Sequence, residues 1–410
     1  MTTVPTRPLG LRENLGLFLQ QLLQVFFVGL TIGLQRTVIP AMAETEFGVA
    51  QGSVASLFAF VVSFGLVKGA MNFVSGRLSD SVGRRKVLIW GWLVALPIPF
   101  VILLAPSWGW IVAANVLLGV NQGFCWSMTV TAKFDIARPD QRGLATGVNE
   151  FAGYGGVAIA GLATGYLASQ FDPRTALFAI GLIVNLLALV AAILAFAETR
   201  PPVGAAKAPA VSAKSIFALV SWRSREFQAL SQAGSVEKFV DALMWALVPV
   251  YLAAQGVALV TIGWITVTYG LVWGASQLWT GPLSDRIGRK PPIVAGFAIC
   301  AAGVAAFPLL SAPLEWAGAA AVTGVGMALL YPNLIAAVGD LAKPEWRGSA
   351  LGVYRFWRDL GYAFGALAIG LVADASGHLE AGFWLTAGAM ALSGLWLFLG
   401  LRETHRPEKA

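Results

Sequence analysis

The chain has 410 residues, enough for two or three soluble domains, yet 57% of them are hydrophobic and only 12% are charged, with a mean hydropathy of +0.72. That composition excludes a water-soluble globular protein and leaves the lipid bilayer as solvent. The net charge of +7 would suit a nucleic-acid binder, but the basic residues sit mainly in short segments between apolar stretches, which excludes that reading.

A spanning helix needs about 20 predominantly apolar residues. Twelve such stretches are predicted, at roughly 15–41, 53–75, 87–105, 108–132, 144–168, 175–197, 227–252, 260–280, 292–311, 315–338, 349–373 and 381–401. The first follows a basic terminus and reaches Ala41-Met42-Ala43, which resembles a signal-peptidase site. It is about twice the length of a signal core, and Pro40, Glu44 and Glu46 suit the outer end of a span, so it is read as a retained helix. The second stretch ends in Gly76-Arg77-Leu78-Ser79-Asp80-Ser81-Val82-Gly83-Arg84-Arg85-Lys86. Short connections around Pro106 and Pro313 force neighbouring helices antiparallel. The fifth stretch carries Gly147, Gly153, Gly155, Gly156, Gly161 and Gly165, small residues that allow close helix approach in lipid; close packing at the seam between halves is expected, together with a smooth face for sliding. Glu198 to Arg225, with Pro201-Pro202 and Gly204, reads as a linker between regions 1–197 and 226–410.

The signature returns 205 residues later as Gly281-Pro282-Leu283-Ser284-Asp285-Arg286-Ile287-Gly288-Arg289-Lys290. The same offset maps Asp135 to Asp340, Pro139 to Pro344, Arg142-Gly143 to Arg347-Gly348 and Glu198-Thr199 to Glu403-Thr404 without a gap. A repeat of this length in an apolar chain points to two similar helical halves. With the spans above, 22 basic residues share a side with the N-terminus and Arg174 stands alone opposite, so both termini and both signature loops are expected in the cytoplasm. Cys125 and Cys300 fall inside spans, without CxxC or Cys/His spacing, and no disulfide, metal or cofactor is expected.

In each signature a glycine ends a span and an aspartate follows four residues on. Asp80 and Asp285 are expected to accept hydrogen bonds from amides at a neighbouring helix N-terminus, where an anion is favoured. Arg84 and Arg289 have Asp135, Asp340, Glu198 and Glu403 as candidate partners, forming latches that break when one side opens. These residues resemble the Major Facilitator Superfamily: Gly-x-Leu-x-Asp-x-x-Gly-Arg-Arg/Lys is similar to its loop 2–3 motif in both halves, and Glu198-Thr199-Arg200 to its acidic motif after helix 6. The resemblance covers nearly the whole chain. It implies an all-α membrane protein of twelve transmembrane helices in two six-helix bundles, multi-pass in the cytoplasmic (inner) membrane, monomeric, with a central cavity and alternating access. Two departures stand out. Gly119 occupies the place of the helix 4 arginine before Gln122-Gly123, and Phe151-Ala152 replaces the Gly-Pro of the antiporter-associated helix 5 motif, of which Gly147, Gly155 and Gly156 are kept.

Ionisable groups inside spans are costly and are functional candidates by default: Arg36, Lys68, Glu150, Glu237, Lys238, Asp241, Arg355, Arg358 and Asp359. The repeat sets Glu150 opposite Arg355, an acid against a base. Arg355 and Asp359, four apart, either neutralise each other on one face or serve a ligand; Glu237, Lys238 and Asp241 pose the same choice. Lys68 is expected to snorkel to the cytoplasmic surface. On the spans that the resemblance makes cavity-lining lie Gln24, Thr31, Gln35, Asn115, Gln122, Trp126, Trp245, Tyr331 and Asn333, suited to a small organic ligand or to interhelical bonding. A secondary transporter is therefore expected, with proton-coupled export of small organic solutes ahead of uptake or exchange of an organic anion, and Asp241 then Glu150 as proton carriers. The other classes weighed are a non-transporting membrane sensor, which would add a soluble output domain, and an intramembrane enzyme, which would need a constellation the spans lack.

Overall fold

A computed structural model describes residues 8–48, 54–200 and 212–405. Among them there is no strand. Fifteen helices follow in chain order: α1 Leu15–Thr45, α2 Val54–Val82, α3 Arg84–Ala95, α4 Ile98–Leu103, α5 Trp108–Ile136, α6 Arg142–Gln170, α7 Pro173–Leu194, α8 Ala213–Ala218, α9 Arg225–Ala242, α10 Val248–Ala254, α11 Leu259–Ile287, α12 Lys290–Ala306, α13 Pro313–Leu341, α14 Arg347–Ser376 and α15 Glu380–Gly400. Two pairs act as single rods, α3 with α4 and α9 with α10, and the short α8 precedes α9, so the rods number twelve. Nine stretches among the described residues are long and apolar enough to cross a membrane; α2, α9 with α10, and α11 complete the set of rods. The repeat is kept to the residue: α2 and α11, and α5 and α13, begin and end at the same offset.

Local interruptions follow from proline. Pro99 cannot donate to the Ala95 carbonyl, and Asn185 Nδ2 of α7 does so instead at 2.8 Å. Pro332 inside α13 frees the Ala328 carbonyl, which accepts from Thr280 Oγ1 of α11 at 2.6 Å. Before Pro249 the rod of α9 and α10 widens into a π-turn at Leu243–Leu247. At α7 the N-cap Asp172 accepts from the Thr175 amide at 2.9 Å, and that bond holds its carboxyl below the usual carboxylate range.

The chain forms two compact units. One comprises residues 1–138, 149–213 and 343–352; the other comprises 139–148, 214–342 and 353–410. In the first unit, α6 packs so closely on α1 that a Cβ on Gly29 would lie 1.9 Å from the Gly153 carbonyl oxygen. The glycine stripe of the fifth span thus divides. Gly153 and Gly156 meet α1 of their own repeat rather than a seam between repeats, while Gly147, in the second unit, meets α11 at Gln277.

Candidate functional site

Each unit holds one copy of the signature. Gly83 turns the chain with φ 103° and Gly288 with φ 95°, a conformation that favours glycine. Glycine has no side chain with which to cap the following helix, and both caps come from afar. Glu198 accepts from the Arg84 and Arg85 amides at 2.9 and 3.2 Å; Glu403 accepts from the Arg289 and Lys290 amides at 2.7 and 3.0 Å. The two glutamates therefore anchor α3 and α12 through backbone amides, and these bonds take the place of the arginine side-chain pairing expected from sequence.

The arginine forks reach the aspartates. In the first unit Arg84 Nε meets Asp135 Oδ2 at 2.9 Å, and Nη1 meets Asp80 Oδ1 at 2.9 Å and Ser79 Oγ at 3.2 Å. In the second unit Arg289 Nε meets Asp340 Oδ2 at 3.0 Å, and Nη1 meets Asp285 Oδ1 at 2.5 Å and Ser284 Oγ at 2.7 Å. Both arginines are fully buried. Asp80 then accepts from the Gly348 and Ser349 amides of α14 at 3.2 and 2.7 Å, and from Ser349 Oγ at 2.6 Å. Asp285 accepts from the Gly143 and Leu144 amides of α6 at 2.9 and 2.8 Å. These are orphan N–H groups of a helix first turn, and the anion also faces the positive end of the helix dipole.

Deeper in the first unit, Trp126 Nε1 and Asn149 Nδ2 both donate to Glu150 Oε1 at 2.9 Å, while Oε2 accepts no hydrogen bond among the described residues. Lys133 Nζ donates to Asn149 Oδ1 at 2.8 Å, and the Lys68 ammonium lies 5.4 Å from the Trp126 ring centroid. Lys68 does not reach a surface: it is buried between Trp126 and Phe64, whose ring faces attract the cation. Gln122 of this region ties α5 to α1 through Val28 O and Thr31 Oγ1.

The second unit holds the denser cluster. Lys238 Nζ lies 2.8 Å from Asp241 Oδ2 and 3.0 Å from Glu237 Oε1, and 4.4 Å from the centroid of Tyr331. Arg358 lies over the same ring at 4.8 Å and pairs with Asp359 at 2.7 Å. Asp241 also accepts from Tyr269 Oη at 2.6 Å and Tyr362 Oη at 3.1 Å. Glu237 has the ion contact with Lys238 through Oε1, and its Oε2 accepts no hydrogen bond among the described residues. All six residues of this charged and aromatic core, Glu237, Lys238, Asp241, Tyr331, Arg358 and Asp359, are buried. Arg355 is buried on the same helix, and Asn333 instead joins α13 internally to Leu329 O at 2.7 Å. The Arg36 side chain lies outside the described residues.

Sequence reading missed Lys133, because the fourth span was ended one residue before it; its spacing of seven from Trp126 on one helix face was the available signal. It also missed Tyr269 and Tyr362, which sit at helical spacing from Trp273 and Arg358.

The profile of the Major Facilitator Superfamily matches residues 22–236 and 233–410. The chain belongs to this superfamily. An uncharacterised MFS-type transporter of Salmonella typhimurium is 26% identical over 393 residues, 90% of this chain and 92% of its own length. Multidrug resistance protein MdtH of Yersinia enterocolitica is 34% identical over 113 residues, 26% of this chain and 28% of its own. Among solved structures, the human organic anion transporter MFSD10 superposes with a TM-score of 0.78 at 16% identity, over 94% of this chain and 99% of its own. The proton:xylose symporter XylE gives 0.77 at 16%, over 96% and 97%. These likenesses fix the fold, that of a multi-pass membrane transporter, and the superfamily's members move small solutes rather than transform them.

Proposed function

We propose that the protein exports small organic solutes across the cytoplasmic membrane in exchange for protons, by alternating access. The observation that carries this reading is the pair of buried glutamates, Glu150 and Glu237, each with a carboxylate oxygen that accepts no hydrogen bond among the described residues. An oxygen left open in this way has room to take up a proton, whereas the Asp241 carboxylate is already engaged by three donors, Lys238, Tyr269 and Tyr362. The local likeness to a multidrug resistance protein supports efflux. Glu150 and Glu237 act as carriers, Asp241 and Asp359 hold the cations, and Trp126, Tyr331, Arg355 and Arg358 offer a ligand aromatic faces and positive charge. The eight latch residues gate the cytoplasmic side. A second reading, uptake or exchange of an organic anion, is favoured by the two cations over Tyr331.

The test is purified protein in liposomes, with a panel of amphiphilic cations and organic anions followed in both directions, with and without a pH gradient. Accumulation driven by an opposed proton gradient supports export; movement unaffected by pH and stimulated by an anion on the far side supports exchange.

The topology is checked separately. Cysteine placed at Ser81 is expected to react with an impermeant thiol reagent only from the cytoplasm, and at Ser107, on an exposed turn, only from outside. Labelling with the reverse pattern refutes the assigned orientation.

A further inference from the structure

A groove of about 390 Å³ lies between the first turn of α9 and the last turns of α15, lined by Arg225, Leu392, Leu395, Trp396, Leu399 and Gly400. Its aliphatic wall is open: Leu392 is 69% exposed and Leu399 63%, on a helix apolar enough to cross a membrane. At the end of the groove stands the exposed Arg225, whose Nη2 donates to the Leu399 carbonyl at 2.9 Å, one of the carbonyls a helix C-terminus leaves unsatisfied. That bond fixes the guanidinium across the mouth, and its other donors make no hydrogen bond among the described residues.

The internal repeat supplies a control. At the same offset the first half has Gln20 for Arg225 and Ala191 for Trp396, while Leu187, Val190 and Leu194 keep the aliphatic wall. An apolar surface for lipid is thus common to both halves, and the charge with its adjoining indole occurs at one. At the same end of α15 a second cation is at hand: the ammonium of Lys290, the first residue of α12, sits 4.8 Å from the Phe398 ring.

We infer that this groove binds an anionic phospholipid, its phosphate on the Arg225 guanidinium and one acyl chain along Leu392, Leu395 and Leu399. A guanidinium grips phosphate through paired N–H donors, an interfacial indole such as Trp396 sits at headgroup depth, and the cytoplasmic leaflet is where anionic lipids concentrate. The occupant stands against the N-terminus of α9, the helix that further on bears Glu237, Lys238 and Asp241, and so steadies that helix.

The test is native mass spectrometry of the full-length protein titrated with phosphatidylglycerol or phosphatidylcholine. Phosphatidylglycerol is expected to be retained more tightly, and Arg225→Gln to weaken it at least about tenfold, with Trp396→Leu weakening it less and Arg223→Gln, outside the groove, leaving it unchanged. Melting curves of each variant establish that it is folded. Equal retention of the two lipids, or unchanged phosphatidylglycerol affinity in folded Arg225→Gln, overturns the assignment, as does a cross-link from cysteine at Leu395 to a second copy of the chain. None of these readouts depends on transport, so their failure leaves the proposed function intact.

Discussion

Arg84→Ala is expected to abolish transport and to lower the melting temperature sharply or prevent folding. The guanidinium holds Asp80, Ser79 and Asp135 together inside the protein. Its removal strands the Asp135 carboxylate, whose side chain is fully buried, and breaking a buried ion pair by deleting one partner costs about 3–5 kcal/mol. That is a large share of the roughly 5–15 kcal/mol that separates folded from unfolded states in ordinary domains. Arg289→Ala is expected to act likewise through Asp285 and Asp340. Asp80→Asn separates gating from folding. It keeps the shape of the side chain but removes the anion facing the α14 amides, so normal insertion with turnover reduced at least about tenfold is expected. Melting curves in detergent alongside transport rates in liposomes check both. Normal turnover in Asp80→Asn and Asp285→Asn at normal expression refutes a latch.

Glu237→Gln is expected to eliminate accumulation driven by a pH gradient while leaving solute exchange between the two sides intact. The amide is permanently neutral and fills the same space, so it mimics the protonated carrier. Asp241→Asn should behave differently. It removes the charge that Lys238, Tyr269 and Tyr362 surround, leaving the buried Lys238 with Glu237 alone, and is expected to cost stability of the order of 3 kcal/mol. Counterflow, gradient-driven uptake and thermal melting on the two variants separate the roles. If Glu237→Gln together with Glu150→Gln still concentrates solute against its gradient using a pH difference, neither glutamate carries the proton.

The twelve rods were legible because a bilayer demands long apolar stretches and the duplication gave each boundary a second reading, so the α2 and α5 limits recur in α11 and α13. The latch partners of Arg84 were legible as a set of carboxylates. Their division of labour was not: that Asp135 takes the side chain and Glu198 the amides depends on the cap that Gly83 is unable to supply, a three-dimensional consequence of a φ value. Asp241 drew attention by its depth in the span, whereas what distinguishes it from Glu237 is the number of donors around it. Two of those three donors come from α11 and α14, and no linear spacing connects Tyr269 and Tyr362 with residue 241. Lys68 was misplaced because distance along a helix to its end says nothing of a Trp126 face beside it.

The reciprocal capping has a consequence for either copy taken alone. Asp80 caps a helix encoded in the second copy of the repeat, at Gly348 and Ser349, and Asp285 caps its counterpart in the first, at Gly143 and Leu144. Neither copy closes its own latch. A chain of half this length could fill both caps only by pairing with a twin, each lending the other an aspartate, in the self-complementary manner of a two-fold homodimer. Joined in one chain, the two copies are free to differ, and at one shared position they hold Glu150 and Arg355.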